Sequence, residues 1–196
     1  MHNAIRVYDN IMTDEDLCDN IIKDFHTKDA YHMRGETFGS TRKVSEAKKS
    51  TDMLFNRLSD NNRDNYLQYL YKCLDQYKED LPQINSVNTW SIDEGFNVQW
   101  YKPGEGFIEW HSENMGMNIT SIKRMAVFMT YLNDVTDEGG TEFAVYKQKI
   151  NAVKGRTVIW PADWSYSHRG IPSLTQEKYI ITGWISYNNV RGEFVL

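Results

Sequence analysis

At 196 residues the chain is long enough for one domain with a sizeable core that needs no disulfide or metal staple. Charged residues make up 25% of it and the net charge is −5, a balance that disfavours nonspecific nucleic-acid binding, because neutralising phosphates takes a basic face. No stretch approaches the run of about 18 apolar residues that spans a bilayer, and the start, Met1 to Tyr8, has no apolar leader, so the expected location is the cytoplasm.

The first elements read as a short strand over Ile5 to Tyr8 and a helix over 14–26. Thr13 is the expected N-cap, with acidic residues in the first turn, and Leu17, Ile21 and Phe25 recur at helical spacing. From Thr27 to Ser50 no periodicity holds. Two readings stay open for this span, an ordinary solvated loop or a substrate-facing lid, since long loops in compact domains are often functional. A second helix is expected over 61–79, with Tyr66, Leu67, Leu70, Cys73, Leu74 and Tyr77 on its broad face and Pro82 ending it. Cys18 and Cys73 fall on these helices beside apolar neighbours, which points to buried, reduced thiols.

Beyond the helices the period changes to two. Phe96, Val98 and Trp100 alternate with Asn97, Gln99 and Tyr101, so the strand has an apolar face and a polar face, and Tyr101 lines a site. Gly104 and Gly106 are read as turn residues. Arg124 to Leu132 is the clearest strand; Tyr131 shares its parity with Met125, Val127 and Met129 and points inward, as a site residue or as a core tyrosine. Asp137 to Gly140 reads as a turn, Thr141 to Tyr146 as a strand, and Arg156 to Trp160 as another that Pro161 closes. Lys178, Ile180, Thr182 and Trp184 share one face of a last strand, which turns the lysine inward. An interior lysine needs an anion, which a ligand carboxylate, an internal Asp or Glu, or escape of the amine to water would resolve. Short antiparallel strands after a helical N-terminal part (about 1–83) predict a double-sheet, jelly-roll barrel (about 84–196) in one domain over 1–196, with both helices on an outer face.

His111 and Glu113, two apart in an extended segment, project to the same side while Ser112 faces away. With His168 from a distant strand they make two imidazoles and one carboxylate, the ligand set that suits non-haem Fe(II). His2, His26 and His32 are expected at the surface, as are Arg124 and Arg156. Arg169 has two readings, a salt bridge or a substrate contact.

Six segments occur in order: Gln99 to Phe107, Trp110 to Glu113, Tyr131 to Asp134, Gly139 to Phe143, Lys154 to Pro161 and Lys178 to Trp184. Together they resemble the catalytic domain of prolyl 4-hydroxylase-like, 2-oxoglutarate- and Fe(II)-dependent dioxygenases, strongly over about residues 84–188 and loosely before them. The resemblance implies a double-stranded β-helix in which His111, Glu113 and His168 bind iron. It also implies that Lys178 pairs with the distal carboxylate of 2-oxoglutarate while Tyr131 and Tyr101 hydrogen-bond to it. Thr182 and Trp184, on the lysine's face, are expected to line the same pocket, with Trp184 open to a second reading as a core residue. O2 is the second co-substrate and ascorbate an accessory reductant. One position departs from the pattern: the family has Asp where this chain has Glu113, which keeps the charge and adds a methylene. Prolyl residues in a peptide or protein are the implied substrate; a free amino acid or other small molecule, or a non-catalytic barrel that only binds, are the alternatives.

Overall fold

The computed structural model describes residues 3–14, 16–35, 47–87, 89–116 and 118–188. In chain order the elements are β1 (Arg6–Tyr8), α1 (Leu17–Thr27), β2 (Met33–Arg34), β3 (Thr51–Leu54), α2 (Asp60–Asp80), β4 (Trp90–Ser91) and β5 (Asn97–Tyr101). They continue with α3 (Ile119–Lys123), β6 (Arg124–Tyr131), β7 (Thr141–Phe143), β8 (Gln148–Ile150), β9 (Thr157–Pro161), β10 (His168–Gly170) and β11 (Lys178–Tyr187).

Two antiparallel sheets face each other as a jelly roll. The larger runs β1-β9-β6-β11-β5-β3-β2, with β4 also on β11, and the smaller runs β10-β7-β8. Two backbone bridges, His111 to His168 and Lys48 to Phe107, extend the smaller sheet beyond β10. Side-chain alternation gives the larger sheet two buried faces. One face carries Val98, Phe128, Ile181 and Ile185 against Leu17, Ile21 and Phe25 of α1 and Tyr66, Leu70, Cys73 and Leu74 of α2. The other carries Val127, Met129, Val158, Trp160 and Ile180 against Phe143 and Ile150 of the smaller sheet. Tyr66 and Tyr69 reach from α2 to the sheet, where their hydroxyls meet Thr130 Oγ1 at 2.9 Å and Thr157 Oγ1 at 2.6 Å.

Several local expectations need correction. The cap of α1 is Asp16, not Thr13, and it makes no side-chain cap bond. The N-terminal part contributes β1, β2 and β3 to the larger sheet in addition to its two helices. Met125 packs on the helix side, because a β-bulge sets both Arg124 and Met125 against Ser186 and breaks the strand's parity there. The strand expected to run to Tyr146 stops at Phe143 and turns back as β8, which the sequence pattern did not announce. Gly104 has the positive φ of a turn glycine (80°), whereas Gly106 lacks one and instead lets Pro172 approach closely. In the span read as loop or lid, Met33–Arg34 pairs with β3 and Lys48 and Ser50 are buried; residues 36–46, the middle of it, lie outside the described residues. His26 is exposed, as expected, with its Nε2 2.8 Å from the Tyr179 hydroxyl, whereas His32 is half-buried, its ring stacked on Phe25 at 4.1 Å. Cys18 and Cys73 are buried, unpaired thiols, as expected.

Gly183 sits on β11 where the sheet meets the helices. A Cβ there would lie 2.5 Å from Phe128 Cζ and 2.6 Å from Phe96 Cβ. Gly183→Ala therefore overpacks the helix-side core and should cost about 1–3 kcal/mol. Urea unfolding checks this: the midpoint falls with the slope unchanged, and an unaltered midpoint would show that the aromatic pair yields freely.

Candidate active site

His111 and His168 are brought together by backbone pairing. His111 N–H donates to His168 O at 3.0 Å and His168 N–H to His111 O at 2.9 Å, which seats the two side chains on one face of neighbouring segments. Each imidazole is oriented by its Nδ1, which donates to a backbone carbonyl two residues earlier, Glu109 O at 2.8 Å and Tyr166 O at 3.1 Å. Those bonds place the proton on Nδ1 and leave the Nε2 lone pair free toward the third group. The Phe107 ring stacks on His111 at 3.6 Å. Glu113 Oε1 stands 3.6 Å from His111 Nε2 and 3.7 Å from His168 Nε2, and one ligand atom from each of the three residues falls within 4.8 Å of the others. Two neutral imidazoles and a carboxylate at this spacing fit a divalent first-row metal, Fe(II) among them. Ser112 also borders the cavity, contrary to the expected alternation, because the chain leaves regular pairing after the bridge at His111.

The second oxygen of Glu113 is held separately. Oε2 accepts the Trp184 indole N–H at 2.8 Å and faces Arg124 Nη1 at 3.4 Å. Burial works against the Glu113 carboxylate, but the facing imidazoles, Arg124 and the indole N–H outweigh it and hold its pKa below the ordinary value. Burial also depresses both histidines, His168 to about 4, so at neutral pH the imidazoles are uncharged and Arg124 and Trp184 support the anion.

The triad opens into a cavity of about 520 Å³. Lys178 lines it, donating to Gly139 O at 3.0 Å with its Nζ 4.9 Å from the centre of the Tyr101 ring. Burial lowers its pKa to about 8. Lys48 and Arg124 line the same cavity, but each faces a carboxylate: Lys48 Nζ is 2.9 Å from Asp52 Oδ2 and Arg124 Nη2 is 2.7 Å from Glu94 Oε2. Lys178 has no such partner among the described residues. Of the expected site residues, Tyr101, Thr182 and Trp184 line the cavity with Lys178. Tyr101 O–H donates to Gln99 Oε1 at 2.7 Å, and Thr182 O–H to Phe128 O at 3.2 Å. Tyr131 stands behind the wall, fully buried, its hydroxyl 2.7 Å from Thr141 Oγ1; Thr141 is the residue that reaches the cavity.

Arg124, expected at the surface, instead covers the Trp184 indole at 3.6 Å. Its pairing with Glu94, thirty residues earlier, had no spacing signal, whereas Lys48 and Asp52 are only four residues apart on the segment that leads into β3. Arg156 pairs with Asp9 at 2.8 Å. Arg169 resolves as a salt bridge, to Glu142 at 2.9 Å, and it lies against the Trp110 ring rather than in the cavity.

Residues 96–186 match the model of the 2OG-Fe(II) oxygenase superfamily. No curated protein matches the chain in sequence. Similar solved structures include a viral collagen prolyl hydroxylase from Paramecium Bursaria Chlorella virus-1 in complex with 2OG, at 20% identity and TM-score 0.66 over 94% of this chain and 97% of that one. A Trichoplax adhaerens prolyl hydroxylase in complex with a hypoxia inducible factor peptide fragment matches at 17% identity and TM-score 0.70 over 94% and 84%. A Pseudomonas putida prolyl-4-hydroxylase matches at 18% and 0.66 over 94% and 93%. At these identities the likeness establishes a shared fold.

Because both histidines are neutral and Glu113 is ionised at pH 7, Fe(II) binding at this cluster would have no protons to displace. Anaerobic calorimetry at pH 7 in buffers of different ionisation enthalpy should return the same binding heat in each. A buffer-dependent heat equivalent to release of about one proton per metal would mean that a histidine is held protonated in the free site.

Proposed function

We propose that this chain, a 2OG-Fe(II) oxygenase whose superfamily domain spans residues 96–186, hydroxylates a C–H bond of a prolyl residue within a peptide or protein. The observation that carries the reading is the meeting, in one cavity, of the His111, Glu113 and His168 cluster with a buried lysine that faces no carboxylate. His111, Glu113 and His168 hold the iron. With 2-oxoglutarate and O2 it supplies the oxidising chemistry, the co-substrate leaving as succinate and carbon dioxide. Lys178 grips the distal carboxylate of 2-oxoglutarate, an anion that matches its buried ammonium. Tyr101, Gln99 and Thr182 shape the surrounding wall, and Tyr131 acts through Thr141, which it braces from behind.

The lining supports a peptidyl substrate over a free amino acid. Apart from the triad and Lys178, its charges are already matched, Lys48 with Asp52 and Arg124 with Glu94. Much of the rest is neutral, including Leu54, Asn97, Met115, Asn118, Thr120 and Ser121. A free amino acid brings an ammonium and a carboxylate that each need an unmatched countercharge, whereas a residue within a chain brings amides that neutral hydrogen-bonding groups satisfy. Among the described residues no helix is long and apolar enough to cross a membrane. Buried free thiols fit our placement of the enzyme in the cytoplasm, with ascorbate as the reductant that keeps its iron ferrous.

The test is succinate formation from 2-oxoglutarate under air with Fe(II) and ascorbate, with a proline-rich peptide present. The native protein should turn over; His111→Ala should abolish succinate, and Lys178→Ala should recover it only at much higher 2-oxoglutarate. Free proline should compete poorly with the peptide. Effective competition by free proline would move the assignment to small molecules, and absence of both succinate and Fe(II) binding would leave a barrel that only binds.

A further inference from the structure

The carboxylate of the triad is gripped by the oxygen that does not face the histidines. Glu113 Oε1 looks toward both imidazoles, while Oε2 accepts the Trp184 N–H at 2.8 Å. The indole is covered by the Arg124 guanidinium at 3.6 Å, and Arg124 is fixed in turn by Glu94, through Nε at 3.0 and 3.1 Å and Nη2 at 2.7 Å. Ser186 Oγ donates to Glu94 at 3.1 Å. Trp184 and Ser186 belong to the same strand, so a closed path of contacts runs from β11 through Glu94 and Arg124 back to β11 and ends on Glu113.

A glutamate is a looser metal ligand than an aspartate. It has one more rotatable bond, and it is long enough to turn either oxygen, or both, toward an ion. We propose that Trp184, with Arg124 stacked on it, is a positioning residue that confines Glu113 to one ligand oxygen. It turns Oε1 to the metal and keeps Oε2 away, so that the facial set leaves its other positions open. The inference rests on reading His111, Glu113 and His168 as an iron site. An indole suits this role because its N–H only donates and so does not compete for the metal, and because its bond to an ionised carboxylate belongs to the stronger class of hydrogen bonds. A tryptophan that merely walled the cavity would need its bulk but not its N–H.

Trp184→Phe keeps a ring and removes the donor. It is to be made in the native chain and in Glu113→Asp, whose shorter carboxylate draws back from the indole. Two quantities are read without oxygen: Fe(II) affinity by calorimetry, and the visible charge-transfer absorption of the Fe(II) and 2-oxoglutarate complex. In the native background Trp184→Phe should weaken Fe(II) binding by about tenfold or more and alter the absorption band. In Glu113→Asp the same change should alter neither, since the interaction it removes is already gone. An unchanged affinity and band in the native background, or equal losses in both backgrounds, overturns the proposal. A native protein that binds no Fe(II) overturns the iron-site reading itself, so the two failures are told apart.

Discussion

Everything at the site depends on the register of β11. This ten-residue strand pairs with β4, β5 and β6, and its two faces do different work. Lys178, Ile180, Thr182 and Trp184 face the cavity, while Ile181 and Ile185 face the helices. Because side chains alternate with a period of two, a slip of one residue would exchange the faces, burying Lys178 among α1 and α2 and sending Ile181 and Ile185 to the cavity. The helix-side core guards against that slip. Gly183 admits Phe128 and Phe96 where a Cβ would crowd both rings, so a slip that put a larger side chain there would be penalised. The packing that stabilises the sheet thus also sets which groups reach the ligand.

The smaller sheet contributes in another way. It supplies His168 at the start of β10 and, through one backbone bridge, aligns His111 beside it. Each histidine takes its direction from its own stretch of chain, through an Nδ1 bond to the backbone carbonyl two residues earlier. This is an economical form of preorganisation, because the same extended backbone that forms the bridge provides the carbonyls. Glu113 lies beyond the bridge, where the chain is no longer regular, and it is the member of the cluster that draws on side chains from elsewhere for its orientation.

Much of this was legible in the sequence, for a physical reason. Strand alternation is short-range, so the inward direction of Lys178, Thr182 and Trp184 and the split of Asn97, Gln99 and Tyr101 from Val98 could be read from local pattern alone. Both helices lie where their apolar spacing placed them, within a few residues. What could not be read is whatever depends on partners far apart in the chain. Parity put Tyr131 inside but could not say that Thr141 would stand between its hydroxyl and the cavity. Arg124 opens a strand as a surface residue would, and only the tertiary approach of Glu94 and Trp184 draws it in. The bulge that turns Met125 to the helix side is likewise invisible to a period-two rule, since it is a property of the strand pair rather than of either strand.

The cations that line the cavity differ in how their burial is compensated. Lys48 and Arg124 are neutralised within the protein, so their burial is compensated before any ligand arrives. Among the described residues Lys178 meets the Gly139 carbonyl and the face of the Tyr101 ring but no carboxylate, and burial has already drawn its pKa down to about 8. Its folded value lies below the ordinary lysine value, so burial disfavours its charged form, and protonation costs the folded state stability wherever the unfolded chain would hold the proton more readily. A carboxylate placed against Nζ reverses that balance. It favours the ammonium, raises the pKa again and returns the stability that burial removed. The same ligand would then be bound more tightly by a folded chain than by any open one and would stabilise the fold in proportion to its affinity. A buried cation that faces no carboxylate is therefore a liability to the protein by itself, and an anion placed against it would remove that liability.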